Sequence, residues 1–362
     1  MAPSLLPGFR ALPTHHCITG SLRHIYEYNG YPLSEELLLG LGAGLGFAYF
    51  QFKGQPPFLG GRANVGRPGE EGLERAAGRR TGVKVELYRT NSARKAEAAL
   101  LALLQAGQPV MLQLDMGYLP YLNLPGDYHF GGHAVVVCGY DAATREVLVA
   151  DRDGVPHAVA WAQLALARGS KHKPFPPEHL WYAFDFAERH APAPGEVWAA
   201  IGEVLDGLLR PPIANLGVKG ISKAAQALLA WPDSMGADEL RFACFNAFIF
   251  IDATGGTGGG CFRYLYARFL AEAAVLVGEP RLAELGGELQ GIGDRWQEAA
   301  VLLRAAAEAP APAPELAAAS AVLRDVAARE DRLWRRLAEV VGQNSPALDT
   351  GPYLTESKQT AT

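Results

Sequence analysis

The spacing of apolar positions changes character near residue 190. Before that point two periods alternate. Leu22, Ile25 and Tyr26 recur at helical spacing and predict a helix over 18–28. Residues 83–88 alternate apolar and polar, as a half-buried strand does. Residues 93–105 return to the helical period, and Gly107 closes that helix. Four further apolar runs predict strands at 110–114, 134–140, 147–150 and 180–186, and the turn Asp141-Ala142-Ala143-Thr144 makes the middle two an antiparallel hairpin. After Pro192-Ala193-Pro194-Gly195 the strand signals stop. Helical segments follow at 196–209, 213–230, 237–250, 262–277, 281–307 and 315–342, broken at Gly or Pro. Pro310-Ala311-Pro312-Ala313-Pro314 reads as a stiff connector between the last two. The expected class is therefore α+β. A mixed domain spans 1–190, an all-helical domain 191–343, and a polar tail, 344–362, is expected to be disordered.

Composition narrows the function without naming it. The 362 residues are 49% hydrophobic and 20% charged, enough for two domains with sizeable cores. A net charge of −5 and no clustered basic patch argue against a nucleic-acid partner. The four cysteines, at 17, 138, 244 and 261, show no CxxC spacing, which argues against a structural metal site or a disulfide framework and suits a reducing compartment. No signal-peptide pattern opens the sequence. The apolar run 37–50 falls short of the roughly 20 residues a bilayer span needs, and four glycines interrupt it. A cytoplasmic enzyme without membrane contact is the expectation. The glycines at 40, 42, 44 and 46 lack the GxGxxG spacing of a dinucleotide site, so no cofactor is expected. They read instead as a tight loop passing close to an active site.

Three residues carry chemistry in combination. Cys17 follows His15-His16 and opens the first helix, where unpaired N–H groups favour a thiolate and can receive an oxyanion. His133 follows Gly131-Gly132 and starts the strand at 134–140. Asp151 ends the strand at 147–150. If those strands pair as a hairpin, Asp151 lies beside His133 and can fix its tautomer, as a thiol's base requires. Singly, each has an ordinary structural reading: a small buried thiol, a satisfied core histidine, a strand-end turn residue. The chain order of helix-start Cys, strand-start His and strand-end Asp is that of papain-like thiol enzymes.

The stretches His15-His16-Cys17-Ile18-Thr19, Pro32-Leu33-Ser34-Glu35-Glu36, Gly131-Gly132-His133-Ala134-Val135-Val136-Val137 and Val149-Ala150-Asp151, with the glycine run at 40–46, resemble the N-terminal domain of the butirosin biosynthesis acyltransferase (BtrH) family. The second half, with Thr257-Gly258-Gly259-Gly260-Cys261-Phe262-Arg263, resembles an uncharacterised helical domain often fused to it. The resemblance implies a papain-like fold with Cys17 as nucleophile, His133 as base and Asp151 as orienter. It also implies an acyl donor such as an acyl carrier protein, and a small-molecule amine as acceptor. Papain-like hydrolases usually place a Gln shortly before the nucleophile, and residues 11–16 contain none. His16, Asn64 and Gln113 are the alternatives for that oxyanion donor.

Weaker candidates surround this constellation. Arg62 or Arg67 could hold a substrate carboxylate. The glycine-rich turn at 254–260, with Gly259 and the following Arg263, could hold a phosphate such as that of a carrier's phosphopantetheine, or simply connect two helices. His129 is the second candidate base. Tyr118, Tyr121 and Tyr128 line the cleft or pack. Cys138, an odd number of positions from His133, should face the other side of its strand, and Cys244 and Cys261 read as core. Two alternatives to acyl transfer stay open: hydrolysis by the same triad as a peptidase or amidase, and a non-catalytic binding module.

Overall fold

The computed structural model describes residues 4–52, 55–65 and 71–344. Arg67 and the tail after Asn344 lie outside the described residues. In chain order the elements are α1 (Cys17–Tyr28), α2 (Glu35–Leu41), β1 (Leu45–Phe50), β2 (Phe58–Arg62), α3 (Leu73–Arg79), β3 (Lys84–Tyr88), α4 (Ala93–Gln105), β4 (Val110–Leu114), β5 (His133–Asp141), β6 (Glu146–Ala150), β7 (Pro156–Ala160), α5 (Trp161–Gly169) and β8 (Trp181–Asp185). The helices α6 (Pro194–Leu209), α7 (Gly217–Leu228), α8 (Trp231–Ser234), α9 (Ala237–Ile251), α10 (Arg263–Val277), α11 (Arg281–Glu308) and α12 (Ala313–Asn344) follow. The class is α+β, with the sheet in the N-terminal part and helices in the C-terminal part.

Two compact units result, and they are not contiguous in sequence. The first combines Met1–Leu38 with Thr81–Ala191, the second Leu39–Arg80 with Pro192–Thr362. Residues 39–80, placed by the contiguous reading with the first domain, thus pack with the helical unit. The reason is local composition. β1 and β2 form an antiparallel ribbon whose Leu45, Phe47, Tyr49 and Leu59 are all buried, and α7 and α9 pack against it. Tyr49 N–H donates to Asn215 O, and Trp231 Nε1 donates to the Tyr49 hydroxyl. The glycine run is therefore not one loop but the end of α2, a two-residue turn and the start of β1. A Cβ at Gly44 would come within 2.6 Å of Leu39 and Leu73, and one at Gly46 within 2.7 Å of Ala63. Small residues there allow the close packing of the second unit.

In the first unit a six-stranded sheet runs in the order β3-β8-β4-β5-β6-β7, antiparallel at every pairing. Val110, Leu112, Leu114, Val135 and Val137 form one core with Leu100 and Leu104 of α4 and Leu164 of α5. α1 packs along β5 and β4. The predicted hairpin is present, with a register irregularity between Val137 and Gly139. β1, β2, β7, α2, α3 and α5 carry no legible sequence signal. Every residue of β1 other than Gly46 is apolar, so its sequence shows no alternation to read. α7 starts at Gly217 rather than near 213, because Gly217 takes φ +60 after Pro211-Pro212. α12 reaches back into the proline connector, since Pro314 falls in the first helical turn, where a missing N–H costs nothing.

Candidate functional site

The approach to Cys17 is fixed from two directions. Pro13 bridges to Asp153 and Thr14 N–H donates to Arg152 O at 2.8 Å, so the chain before α1 runs alongside the residues that follow Asp151. Gly20 permits this closeness, because a Cβ there would overlap Thr14. Leu12 N–H donates to His24 Nε2 at 2.9 Å, and burial pulls the His24 pKa down to about 4, which keeps that ring neutral and able to accept. From the other side Glu35, 1% exposed, reaches the N-terminus of α1. It accepts from His15 N–H (2.8 Å), His16 N–H (2.7 Å) and the Thr19 hydroxyl (2.8 Å).

His16 has extended backbone and caps α1, its Nδ1 lying 3.5 Å from Thr19 N–H and 3.2 Å from Thr19 Oγ1. The first helical bond runs from Gly20 N–H to His16 O. The N–H groups of Cys17 and Ile18 precede it and have no partner within the helix, as the first turn requires.

His133 begins β5 and is 3% exposed. The two glycines before it admit the chain's own segment 175–177, because a Cβ at Gly131 would overlap Phe175 O. His133 Nε2 lies 2.8 Å from Asp151 Oδ2, which leaves Nδ1 for the Cys17 thiol that hydrogen-bonds this ring. Asp151 Oδ2 also accepts from the Tyr121 hydroxyl at 2.9 Å. Tyr121 in turn stacks on His157, centroids 4.0 Å apart.

The electrostatics follow from this geometry. Burial opposes ionisation of Cys17, but the charge on His16 and the hydrogen bonds from His133 and His16 outweigh it, and the thiol is held well below its ordinary range. Burial alone would lower His133, yet the Asp151 carboxylate and the adjoining thiolate raise it to about 9. Asp151, despite burial, is pulled down to about 2 by His133 and Arg152. A thiolate, an imidazolium and a carboxylate in a row is the arrangement these shifts favour at neutral pH.

The other sequence candidates have surroundings of their own. Gln113 pairs across from Ala134 while Leu114 pairs with His133, so Gln113 projects from the opposite sheet face to His133. His129 Nδ1 lies 2.9 Å from Asp115 Oδ2 and its ring stacks on His172, so it serves Asp115 and not the thiol. Asn64 belongs to the second unit, and its amide donates to Gly42 O at 2.7 Å. Arg62, in the same unit, is half-buried, and its Nε has no partner among the described residues.

The anion-binding reading of the glycine turn fails on its hydrogen bonds. Gly259 N–H donates to the Thr257 hydroxyl and Gly260 N–H to Gln297 Oε1. Arg263, 0% exposed, grips Glu330 through Nε (2.8 Å) and Nη2 (2.9 Å), and its Nη1 donates to Gly46 O and Cys261 O. These donors hold the helical core together. Cys138, Cys244 and Cys261 are buried, and burial pushes their thiols up to about 12, 11 and 12. Among the described residues, no group of three His, Cys, Asp or Glu side chains could hold a metal ion, and no helix is long and apolar enough to cross a membrane.

Glu35 is the site residue that sequence reasoning missed, while Tyr121, read as lining the cleft or packing, donates to Asp151. Glu35 stood in a quoted motif, but nothing in its spacing showed that its carboxylate reaches the turn before Cys17.

Residues 16–152 match the family model described as Butirosin biosynthesis protein H, N-terminal, and residues 162–337 match that described as Domain of unknown function (DUF4872). An N-terminal BtrH domain is thus joined to a C-terminal domain of the second kind. No curated protein matches the chain. The family boundaries follow the sequence and not the packing. The first match includes 39–80 of the helical unit, and the second begins within α5 of the sheet unit.

Proposed function

We propose that the sheet unit is a papain-like thiol enzyme that transfers an acyl group, in butirosin-type biosynthesis, from a carrier-protein thioester to a small-molecule amine. The observation that carries this reading is the chain of contacts from the Cys17 thiol through His133 to Asp151, with Nε2 and Oδ2 2.8 Å apart. The family match supplies the biosynthetic setting.

In this mechanism the Cys17 thiolate attacks the thioester carbonyl. The N–H groups of Cys17 and Ile18, at the start of α1, stabilise the oxyanion. The tetrahedral intermediate collapses, and the departing thiol takes the proton of the His133 imidazolium. The amine then attacks the Cys17 thioester, His133 accepts its proton, and the thiolate is released as the amide forms. Asp151 holds Nδ1 of His133 toward sulfur throughout, and Tyr121 holds Asp151.

The test uses the full chain and an acyl-loaded carrier protein. Intact-mass measurement should show an adduct on Cys17 that persists without acceptor and discharges to amide when the amine is added. An adduct lost equally fast to water, with peptides cleaved, would make the enzyme a hydrolase. No adduct, with Cys17 labelled like a free thiol, would favour a binding module.

A further inference from the structure

Asp151 uses its two oxygens unequally. Oδ2 receives both the His133 ring, at 2.8 Å, and the Tyr121 hydroxyl, at 2.9 Å. Oδ1 is buried and accepts no hydrogen bond among the described residues, with Arg152 Nε 3.9 Å away. Toward Oδ2 the Tyr121 hydroxyl is a donor only. Burial and the carboxylates of Asp151 and Asp153 hold Tyr121 far above its ordinary range, so it keeps its proton. Two donors on one oxygen divide its charge. Each hydrogen bond to a carboxylate stabilises the anion and leaves less of that charge for the other partner. A tyrosine in this place therefore loosens the grip of Asp151 on His133 while it fixes the carboxylate in position.

The phenol is itself held. Its ring stacks on that of His157, with centroids 4.0 Å apart and planes 9° from parallel. His157 lies on β7, and its Nε2 is 2.8 Å from Asp153 Oδ2 in the turn that follows Asp151. Asp153 Oδ1 accepts from Val155 N–H at 3.2 Å. The turn thus fixes the imidazole, and the imidazole fixes the phenol. Moving the hydroxyl off Oδ2 means moving the ring off that platform.

With Cys17 as nucleophile and His133 as its base, on the function proposed above, the sharing bears on proton transfer. We propose that Tyr121 and His133 compete for Oδ2 of Asp151, and that Tyr121, seated on His157, sets how tightly the carboxylate holds the imidazole. Tyr121 and His157 are positioning residues, since both act through Asp151. An imidazolium held less tightly gives its Nδ1 proton more readily to the departing thiol. The ring left behind is still oriented to take a proton from the amine. Cys17 and His16 at the start of α1, His24 further along it, and Arg152 also face the His133–Asp151 pair, and each stays in place in the substitutions below.

The test follows the His133 ring by NMR in the full chain carrying isotope-labelled histidine, its signal assigned as the one missing from His133→Gln. The readout needs no substrate. In the unsubstituted chain the ring should titrate at about 9. Tyr121→Phe keeps the stacked ring and removes the hydroxyl, so the midpoint should rise by about half a pH unit, roughly a threefold change in the ionisation constant. His157→Ala should raise it by less, and His157→Phe, which keeps a flat platform without a charge, should bring it back. Tyr121→Phe and His157→Ala together should go no further than Tyr121→Phe alone, because the two act in series. A midpoint that falls in Tyr121→Phe would make the phenol a plain prop for Asp151, and an unmoved one would mean no competition for Oδ2; either overturns the proposal. So does a rise in His157→Ala that His157→Phe does not reverse, which assigns the effect to charge. Should Tyr121→Phe not fold, the two His157 substitutions decide. A His133 that titrates at its ordinary 6.5 in the unsubstituted chain is a different failure. It would remove the thiolate–imidazolium pair itself, and with it the proposed function as well as this proposal.

Discussion

Cys17 is reactive, in the proposed mechanism, because of what lies against it. Burial alone would raise its pKa, and His16 and His133 reverse that. Iodoacetamide labelling should therefore proceed at full rate well below pH 8.5, where a free cysteine titrates. A labelling curve centred on that ordinary value would remove the activated nucleophile. On the alkaline side His133, raised to about 9, sets the limit. Turnover should fall as pH rises through that value, when the imidazolium is lost. Asp151→Asn removes the charge that raises His133 and leaves the burial that lowers it, so the alkaline limb should move down by at least two pH units. An unmoved limb would mean that Asp151 does not act through His133. The linked stability has the same sign. The His133 contribution is complete below its ordinary pKa of 6.5 and is lost as pH rises through about 9. That of Asp151 is present above its ordinary 3.8 and is lost as pH falls through about 2.

At the scale of elements, α1 is held in place by a carboxylate from the start of α2. Glu35→Ala would take this acceptor from the backbone N–H groups of His15 and His16, each loss costing about 1–3 kcal/mol if water cannot replace it, while the Thr19 hydroxyl keeps His16 Nδ1 within reach. The expected outcome is a lower melting temperature and slower Cys17 labelling at neutral pH, with Glu35→Gln intermediate because one oxygen remains. Labelling unchanged in Glu35→Ala would show that the helix start holds its geometry without the clamp. Arg263 does the comparable work between α10 and α12. Glu330, 0% exposed, also accepts from Trp296 and Trp334, at 2.7 and 3.0 Å. Arg263→Ala strands that carboxylate and should cost about 3–5 kcal/mol in a denaturant titration. Replacing Arg263 and Glu330 together by Met should cost less than the single change, since no charge is then left buried alone.

Over the whole molecule, the decisive feature is that residues 39–80 interrupt one unit and complete the other. A fragment ending at 190 keeps Leu45, Phe47 and Tyr49 but loses Asn215 and Trp231, which hold Tyr49. It should therefore aggregate or melt without a cooperative transition, in size-exclusion chromatography and calorimetry. A monomeric fragment with a sharp melt would show that 39–80 can be covered by something other than the helices they pack on here.

The sequence by itself determined what depends on near neighbours. Periodicity placed α4 at 93–105 and β4 at 110–114, the bounds the structure has, and placed the later helices within a few residues. Two apolar runs and a four-residue turn gave the β5–β6 hairpin, and with it the nearness of His133 to Asp151. These patterns are written within a few residues of each element, so local propensity and burial suffice to decode them. Only the tertiary structure decided which segments share a core. β1 and β2, buried on both faces, show no period that distinguishes a strand from the end of a helix, and their helical partners come more than 150 residues later. The same limit applies at the sites. An arginine after a glycine turn could equally meet a phosphate or a carboxylate from α12, and the choice belonged to Glu330, 67 residues away. Tyr121, whose hydroxyl meets Asp151 30 residues away, could not be told from Tyr118 or Tyr128 along the chain, because a side chain's partner is set by packing and not by the residues beside it.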